Sequence, residues 1–307
     1  MSRVFVLGNA SIDTTLRVPR LPLAGETLMA TGIQRSPGGK GLNQAVVAAR
    51  TGAEVHFMAA LGTEPETALI RDALARENLA KCDLVDVGAP TDLSSLMVAP
   101  DGENCIISTG ACCDALSVEV AVRFVAAMRE ADILLVQGNL SEPATRAAMR
   151  AARELGAQIM LNTAPIRWDY GEVAKLADLV VANRHEAATI TGEDHVCEAI
   201  RAFPGMGRHP CPGLIVTLGA DGCVATDNRI TPYPAQPVDA VVDTTGAGDV
   251  FCGALAGFWA TRTAYPFLAI NAAQRAAALS VTRAGCFASF PSAAELAQLA
   301  RSFEREA

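Results

Sequence analysis

The residues best suited to chemistry stand in one short run, Asp243-Thr244-Thr245-Gly246-Ala247-Gly248-Asp249. It follows a strand-like Val238 to Val242 and opens an apolar helical segment, Val250 to Trp259. Small flexible residues at a helix mouth let backbone N–H groups point outward, and with the helix dipole they form a hole for an anion. Such a hole suits a phosphoryl group in transfer, and Asp249, in the first helical turn, is placed to take up the proton of an attacking hydroxyl. A weak base suffices there, because in a loose transition state the proton leaves late and positioning matters more than basicity. Taken alone, the run also reads as a Gly-rich turn carrying a charge at a helix start.

Three more loops carry ligand-type residues. Ser36-Pro37-Gly38-Gly39-Lys40-Gly41-Leu42-Asn43 precedes a helix, and its glycines let the backbone approach a ligand while Lys40 offers a cation and Asn43 both a donor and an acceptor. It is not a nucleotide P-loop: the residue after Lys40 is Gly41, so no Ser or Thr hydroxyl is offered to Mg²⁺. No Gly-x-Gly-x-x-Gly follows the first strand, which weakens a dinucleotide reading. A sugar or other polyol suits the mixed polar groups. Gly8-Asn9-Ala10-Ser11-Ile12-Asp13 leaves the first strand, and Asn9 and Asp13 could accept hydrogen bonds from hydroxyls. Asn183-Arg184-His185-Glu186 also follows a strand, and Asn183 and Glu186 could face a metal-bound phosphate or form an N-cap box. Each loop has an ordinary structural reading. Together they fall at strand carboxyl ends, where open α/β sheets bind ligands.

The elements that must position these loops are legible as alternation. Short apolar runs at Val4 to Gly8, Val55 to Ala60, Ile133 to Val136, Gln158 to Leu161, Leu179 to Val181 and Leu214 to Val216 alternate with helical periods such as Lys40 to Thr51 and Pro65 to Asn78. That is an α/β fold, a doubly wound and mainly parallel sheet flanked by helices. Residues 13 to 36 are loop-rich, and 93 to 109 read as a hairpin around Pro100-Asp101-Gly102. Together they could form a small β-sheet lid, or both could be surface loops. The last third is helical, over Ala247 to Thr261 and Pro266 to Arg283, with a capping box at Ser292 to Glu295 opening a final helix.

The bulk numbers exclude several classes. Of 307 residues, 50% are hydrophobic and 19% charged, so the chain is not disordered. A net charge of −8, without a long run of Lys and Arg, argues against nucleic acid as a partner. Nine cysteines without a Cys-x-x-Cys pair read as small buried hydrophobes of a reducing cytosol. Nothing resembles a secretory leader, and no stretch reaches about 18 uninterrupted apolar residues, so no membrane span is expected. The expected location is the cytoplasm.

In this order the loops resemble the ribokinase-like (PfkB) carbohydrate kinase family, its ribokinase branch most. The likeness adds Gly25-Glu26-Thr27, Asn43-Gln44-Ala45, Asn162-x-Ala164-Pro165, Thr217-Leu218-Gly219, Val281-Thr282-Arg283-x-Gly285 and Ser289-x-Pro291, and spans nearly the whole chain. The resemblance implies a single kinase domain over 1–307 with a lid from about 13–36 and 93–111. It implies transfer of the ATP γ-phosphoryl to a primary hydroxyl of a pentose such as D-ribose, with Asp249 as base and Gly246, Ala247 and Gly248 lining the anion hole. Asn9, Asp13, Gly39, Lys40, Asn43 and Asn139 would hold the sugar. Asn183, Glu186, Thr217 and Gly219 would meet ATP, Glu186 acting on its Mg²⁺ indirectly. Asp243, Thr245, Arg283, Gly285 and Ser289 match the ligands of a monovalent cation, usually K⁺. A homodimer joined through the lids is implied too, with Leu93, Leu96 and Val98 as possible contacts. Asn139 is a departure: ribokinases usually have Glu there, and the exchange leaves open other sugars, deoxyribose, nucleosides or phosphosugars. A non-catalytic sugar-binding protein is the reading from a different class.

Overall fold

The computed structural model describes residues 1–100, 103–205, 213–226, 229–263 and 265–303. The turn expected at Asp101-Gly102, like Cys211, lies outside them. Among the described residues the strands are β1 (Val4–Asn9), β2 (Ser11–Arg17), β3 (Gly32–Gly38), β4 (Val55–Ala60), β5 (Lys81–Val85), β6 (Asp92–Val98), β7 (Asn104–Ser108), β8 (Ile133–Gln137), β9 (Gln158–Asn162), β10 (Leu179–Asn183), β11 (Gly213–Thr217), β12 (Cys223–Thr226) and β13 (Ile230–Tyr233). The helices are α1 (Lys40–Arg50), α2 (Ala68–Leu74), α3 (Ala111–Ala115), α4 (Val118–Val125), α5 (Glu142–Glu154), α6 (Arg184–Thr191), α7 (Val196–Ala202), α8 (Ala247–Arg262), α9 (Ile270–Val281) and α10 (Ala293–Phe303).

Nine strands form one sheet in the order β13-β12-β11-β10-β9-β8-β1-β4-β5. Pairing is parallel from β5 through β11, while β12 and β13 run antiparallel at one edge. β1 is buried along its whole length, as a central strand covered on both faces must be. One face packs on α1, α8 and α9 through residues such as Val46, Leu255 and Ile270. The other packs on α4 and α5 through Phe124, Ala148 and Met149. The expected doubly wound architecture is thus present.

A close approach between two helices sets the site. α8 crosses α1 at two glycines: a Cβ on Gly253 would lie 2.6 Å from the Gln44 carbonyl oxygen, and one on Gly257 2.2 Å from Thr51 Oγ1. These contacts draw the first turns of the two helices together, and with them Asn43, Gln44 and Asp249.

A second, four-stranded sheet in the order β3-β2-β6-β7 matches the lid expectation. Its strand β2 starts two residues after β1 ends, so the expected loop from Gly8 to Asp13 is instead a strand-to-strand junction. Val238 to Val242 is not a strand. The amides of Val242 and Asp243 both donate to the Val281 carbonyl, at 2.7 and 3.2 Å, and Val241 and Val242 are exposed. The helices expected over Pro65–Asn78 and Pro266–Arg283 are shorter: each opens with a 3₁₀ turn at its proline, and the α-helices end at Leu74 and Val281.

Candidate active site

Two helix mouths face each other. α1 begins after Gly39 (φ 97°) and α8 after Gly246 (φ 81°), backbone conformations that a side chain would strain. Asp249 lies in the first turn of α8 and is 6% exposed. Its Oδ2 accepts from Asn43 Nδ2 at 2.9 Å and its Oδ1 from Gln44 Nε2 at 3.0 Å. Lys40 Nζ stands 3.9 Å from Oδ1, and that carboxylate holds the ammonium above its ordinary range against the opposing effect of burial. At the start of α8, Ala247 N–H donates to the Thr244 carbonyl at 3.2 Å, and a helix's first-turn amides have no intrahelical acceptor.

The residues expected to hold a sugar come together near this centre. Asp13 on β2 lies over the glycine loop so closely that a Cβ on Gly38 would sit 2.1 Å from its carboxyl carbon. Ser11 Oγ donates to Asp13 Oδ1 at 3.0 Å, yet burial dominates and pushes the carboxyl up to about 6. Asn9 Oδ1 accepts from Gly41 N–H at 3.2 Å, leaving the amide nitrogen for a ligand. Asn43 Oδ1 is buried without a partner, an acceptor suited to a bound hydroxyl. Cys286, to which sequence reasoning gave no function, brings its thiol within 3.5 Å of Asn43 Nδ2, and burial raises that thiol well above its usual range. With Asp13, Ser36 and Thr15 it lines a small cavity under the lid sheet. Asn139 is half-buried; its carbonyl accepts from Arg167, and its Oδ1 is buried without a partner.

Beside the mouth of α8 opens a cleft of about 510 Å³, lined by Thr217, Gly219, Ala247, Gly248 and the apolar Phe251 and Val281. Asn183 pairs in register with Thr217 across β10 and β11. Asn183 and Glu186 form the N-cap box of α6: Asn183 Oδ1 accepts from Glu186 N–H at 2.8 Å, and Glu186 Oε2 from Asn183 N–H at 2.9 Å. Thr163 Oγ1 adds a bond of 2.9 Å to the same oxygen. With its oxygens so engaged, Glu186 suits contact to a hydrated Mg²⁺ better than direct ligation.

The residues matched to a cation site are also brought together. Asp243 Oδ1 accepts from Thr245 N–H and Oδ2 from Gly285 N–H, each at 2.9 Å, which ties the two segments to one carboxylate. Ser289 is fully buried and donates to the Cys286 carbonyl at 2.7 Å, so its lone pairs stay available. The Arg283 side chain pairs with Glu295, leaving its carbonyl as the group it could offer. A carboxylate, a hydroxyl and carbonyls are the donors a hard, weakly held cation accepts.

Sequence reasoning missed the amides behind Asp249. Gln44 Nε2 also donates to Asn162 Oδ1 at 3.1 Å, and its Oε1 accepts from Gln137 Nε2 at 2.9 Å. Consecutive amides, Asn43 and Gln44, in the otherwise apolar stretch Leu42 to Ala49 were the available signal, since buried amides need partners.

A doubly wound sheet with a β lid, a buried acid where two helix mouths meet, a polar pocket under the lid and a nucleotide-sized cleft at the mouth of α8 define a carbohydrate kinase. The pfkB family carbohydrate kinase model matches residues 1–293, and the chain belongs to that family. It is a phosphotransferase with an alcohol group as acceptor. It is 30% identical to ribokinase of Bacillus subtilis, covering 97% of this chain and 99% of the relative. It is 31% identical to the bifunctional ribokinase/ribose-5-phosphate isomerase A of Fructilactobacillus sanfranciscensis over 95% of this chain, but spans 55% of that protein's length. The structure of Arabidopsis thaliana ribokinase complexed with ribose and ATP superposes with a TM-score of 0.80 at 25% identity, covering 98% of this chain and 99% of that one. No described helix is long and apolar enough to cross a membrane.

Proposed function

We propose that this chain transfers the γ-phosphoryl of ATP to the primary hydroxyl of D-ribose, giving the 5-phosphate. One observation carries the reading: the buried carboxylate of Asp249 is oriented by two amides in the first turn of α8, where Ala247 and Gly248 line the nucleotide-sized cleft. The ribokinases among its relatives support ribose. In the step, the sugar O–H gives its proton to Asp249, the oxygen forms the new O–P bond, and ADP leaves with the electrons of the bond that breaks. Lys40 beside Asp249 and the outward amides of Gly246 and Gly248 balance the charge of the transferring group. Asn9, Asp13, Gly39 and Asn43 hold the sugar.

Glu186 and Asn183 would hold Mg²⁺ through its water shell, and Asp243, Thr245, Arg283, Gly285 and Ser289 a monovalent cation, K⁺. Both ions would supply positive charge next to the phosphates. The kinase domain spans 1–307, with 13–36 and 93–111 as lid. Leu96 is buried and Val98 lines the cavity, so the contact to a second subunit falls instead on the exposed Leu93, Ile33 and Ile107 of the lid sheet. Eight free cysteines among the described residues support a cytoplasmic location.

Asn139, with its unpartnered Oδ1, favours a second reading, a related sugar or nucleoside in place of ribose. ADP release across a panel of pentoses, deoxyribose, hexoses, phosphosugars and nucleosides separates the two, with kcat/KM highest for ribose expected. No ADP formed with any of them would return the chain to a sugar-binding protein. Asp249→Asn should bind ribose and ATP normally and lose at least about 10²-fold in kcat. Near-normal turnover would refute Asp249 as base.

A further inference from the structure

The amides behind Asp249 have a direction, and a backbone carbonyl fixes it. The Val181 carbonyl can only accept, so Asn162, which meets it at 3.1 Å, must place its nitrogen there and turn Oδ1 toward Gln44. Gln44 must then present Nε2 to both Asn162 Oδ1 and Asp249 Oδ1, and its Oε1 is left to accept from Gln137. Reversing Gln44 would set oxygen against oxygen at two contacts, so the amide assignment follows from chemistry. The chain makes room for this arrangement: a Cβ on Gly8 would lie 2.1 Å from Gln137 Oε1. Gln44 is fully buried and Gln137 1% exposed, and neither lines the cavity or the cleft.

We propose that Gln44 is a positioning residue for phosphoryl transfer, its amide held by Gln137 and Asn162 so that it fixes the plane of the Asp249 carboxylate. The inference rests on Asp249 as the base. The last torsion of an aspartate is broad and cheap to rotate. Separate donors on the two oxygens, Asn43 on Oδ2 and Gln44 on Oδ1, remove that freedom and leave the outward lone pairs for the acceptor hydroxyl. Asn43 also faces the sugar, whereas Gln44 acts through Asp249 alone. No bond forms or breaks at Gln44.

The test uses the full-length enzyme with Gln44→Met, Gln137→Met and the double variant, each shown by melting to be folded. Gln44→Met should lower kcat by about 10 to 10²-fold, the scale of a misplaced reacting group. KM for sugar and for ATP should stay within about threefold. Gln137→Met should lower kcat several-fold alone and add nothing in the Gln44→Met background, because it acts through Gln44. Gln44→Glu keeps the shape but turns an acceptor on Asp249, and the same kcat loss at unchanged KM is expected should Gln44→Met fail to fold. Wild-type kcat in the Gln44 variants, a rise in KM alone, or losses that multiply in the double variant would each overturn the proposal. Asp249→Asn, measured alongside, separates the two levels: if it stays active the base assignment fails. If it is inactive while Gln44→Met turns over normally, only the positioning fails.

Discussion

Asp13 should make the ligand-free protein less stable than it could be, and removing its charge should show by how much. The carboxyl is 8% exposed, and burial lifts it from 3.8 to about 6. The native state therefore holds this proton more tightly than the unfolded chain, so the group's favourable contribution is complete below pH 4 and is lost as pH rises through about 6. A shift of roughly two units corresponds to about 3 kcal/mol at pH 7.5 and about half that at pH 5, where the native carboxyl is largely protonated. Asp13→Asn keeps the shape and never ionises. Without ligand it should be more stable than the parent by up to about 3 kcal/mol at pH 7.5, or about 5 °C in melting temperature for a chain of this size. The advantage should shrink toward about 1.5 kcal/mol at pH 5. Calorimetry of both proteins at the two pH values measures it. An advantage that does not change with pH would mean that packing, and not the buried charge, causes it; a variant less stable at pH 7.5 would refute the reasoning outright. The same variant should bind sugar about 10-fold more weakly or worse, since hydroxyls lose a charged acceptor.

Other expectations follow from the same geometry. Gly253→Ala places a Cβ 2.6 Å from the Gln44 carbonyl, so α8 must move from α1; thermal melts should show a loss of about 1–3 kcal/mol, and kcat should fall with it as Asp249 separates from its amides. Asp243→Ala unties the Thr245 and Gly285 segments, and the ratio of activity in K⁺ to that in tetramethylammonium should drop toward one. Ile107→Asp on the exposed lid surface should shift a dimer to monomer in size-exclusion chromatography while leaving the monomer folded.

What the sequence made legible was whatever depends on local rules. Apolar runs such as Val4 to Gly8 declare a covered parallel strand because every residue must be buried, and glycine at 39 and 246 declares a helix mouth because the backbone there needs positive φ. Val238 to Val242 misled because β-branched residues report a propensity for extension and not a neighbour to pair with; the segment bends at Asp239, and the amides of Val242 and Asp243 donate to the end of α9. Asn183 and Glu186 show the same limit from the other side. Their spacing of three fitted both a helix cap and a phosphate contact, and the structure forms the cap, which fixes the carboxylate that would face Mg²⁺ through water. The amides behind Asp249 were least legible, because Gln44, Gln137 and Asn162 are 93 and 118 residues apart along the chain and meet only through the register of β8 with β9 and the crossing of α1 over the sheet. A motif can name the group that takes the proton. The groups that hold it still are set by the packing of α1, α8 and three strands, and for that reason the enzyme's turnover should prove sensitive to buried positions that no ligand touches.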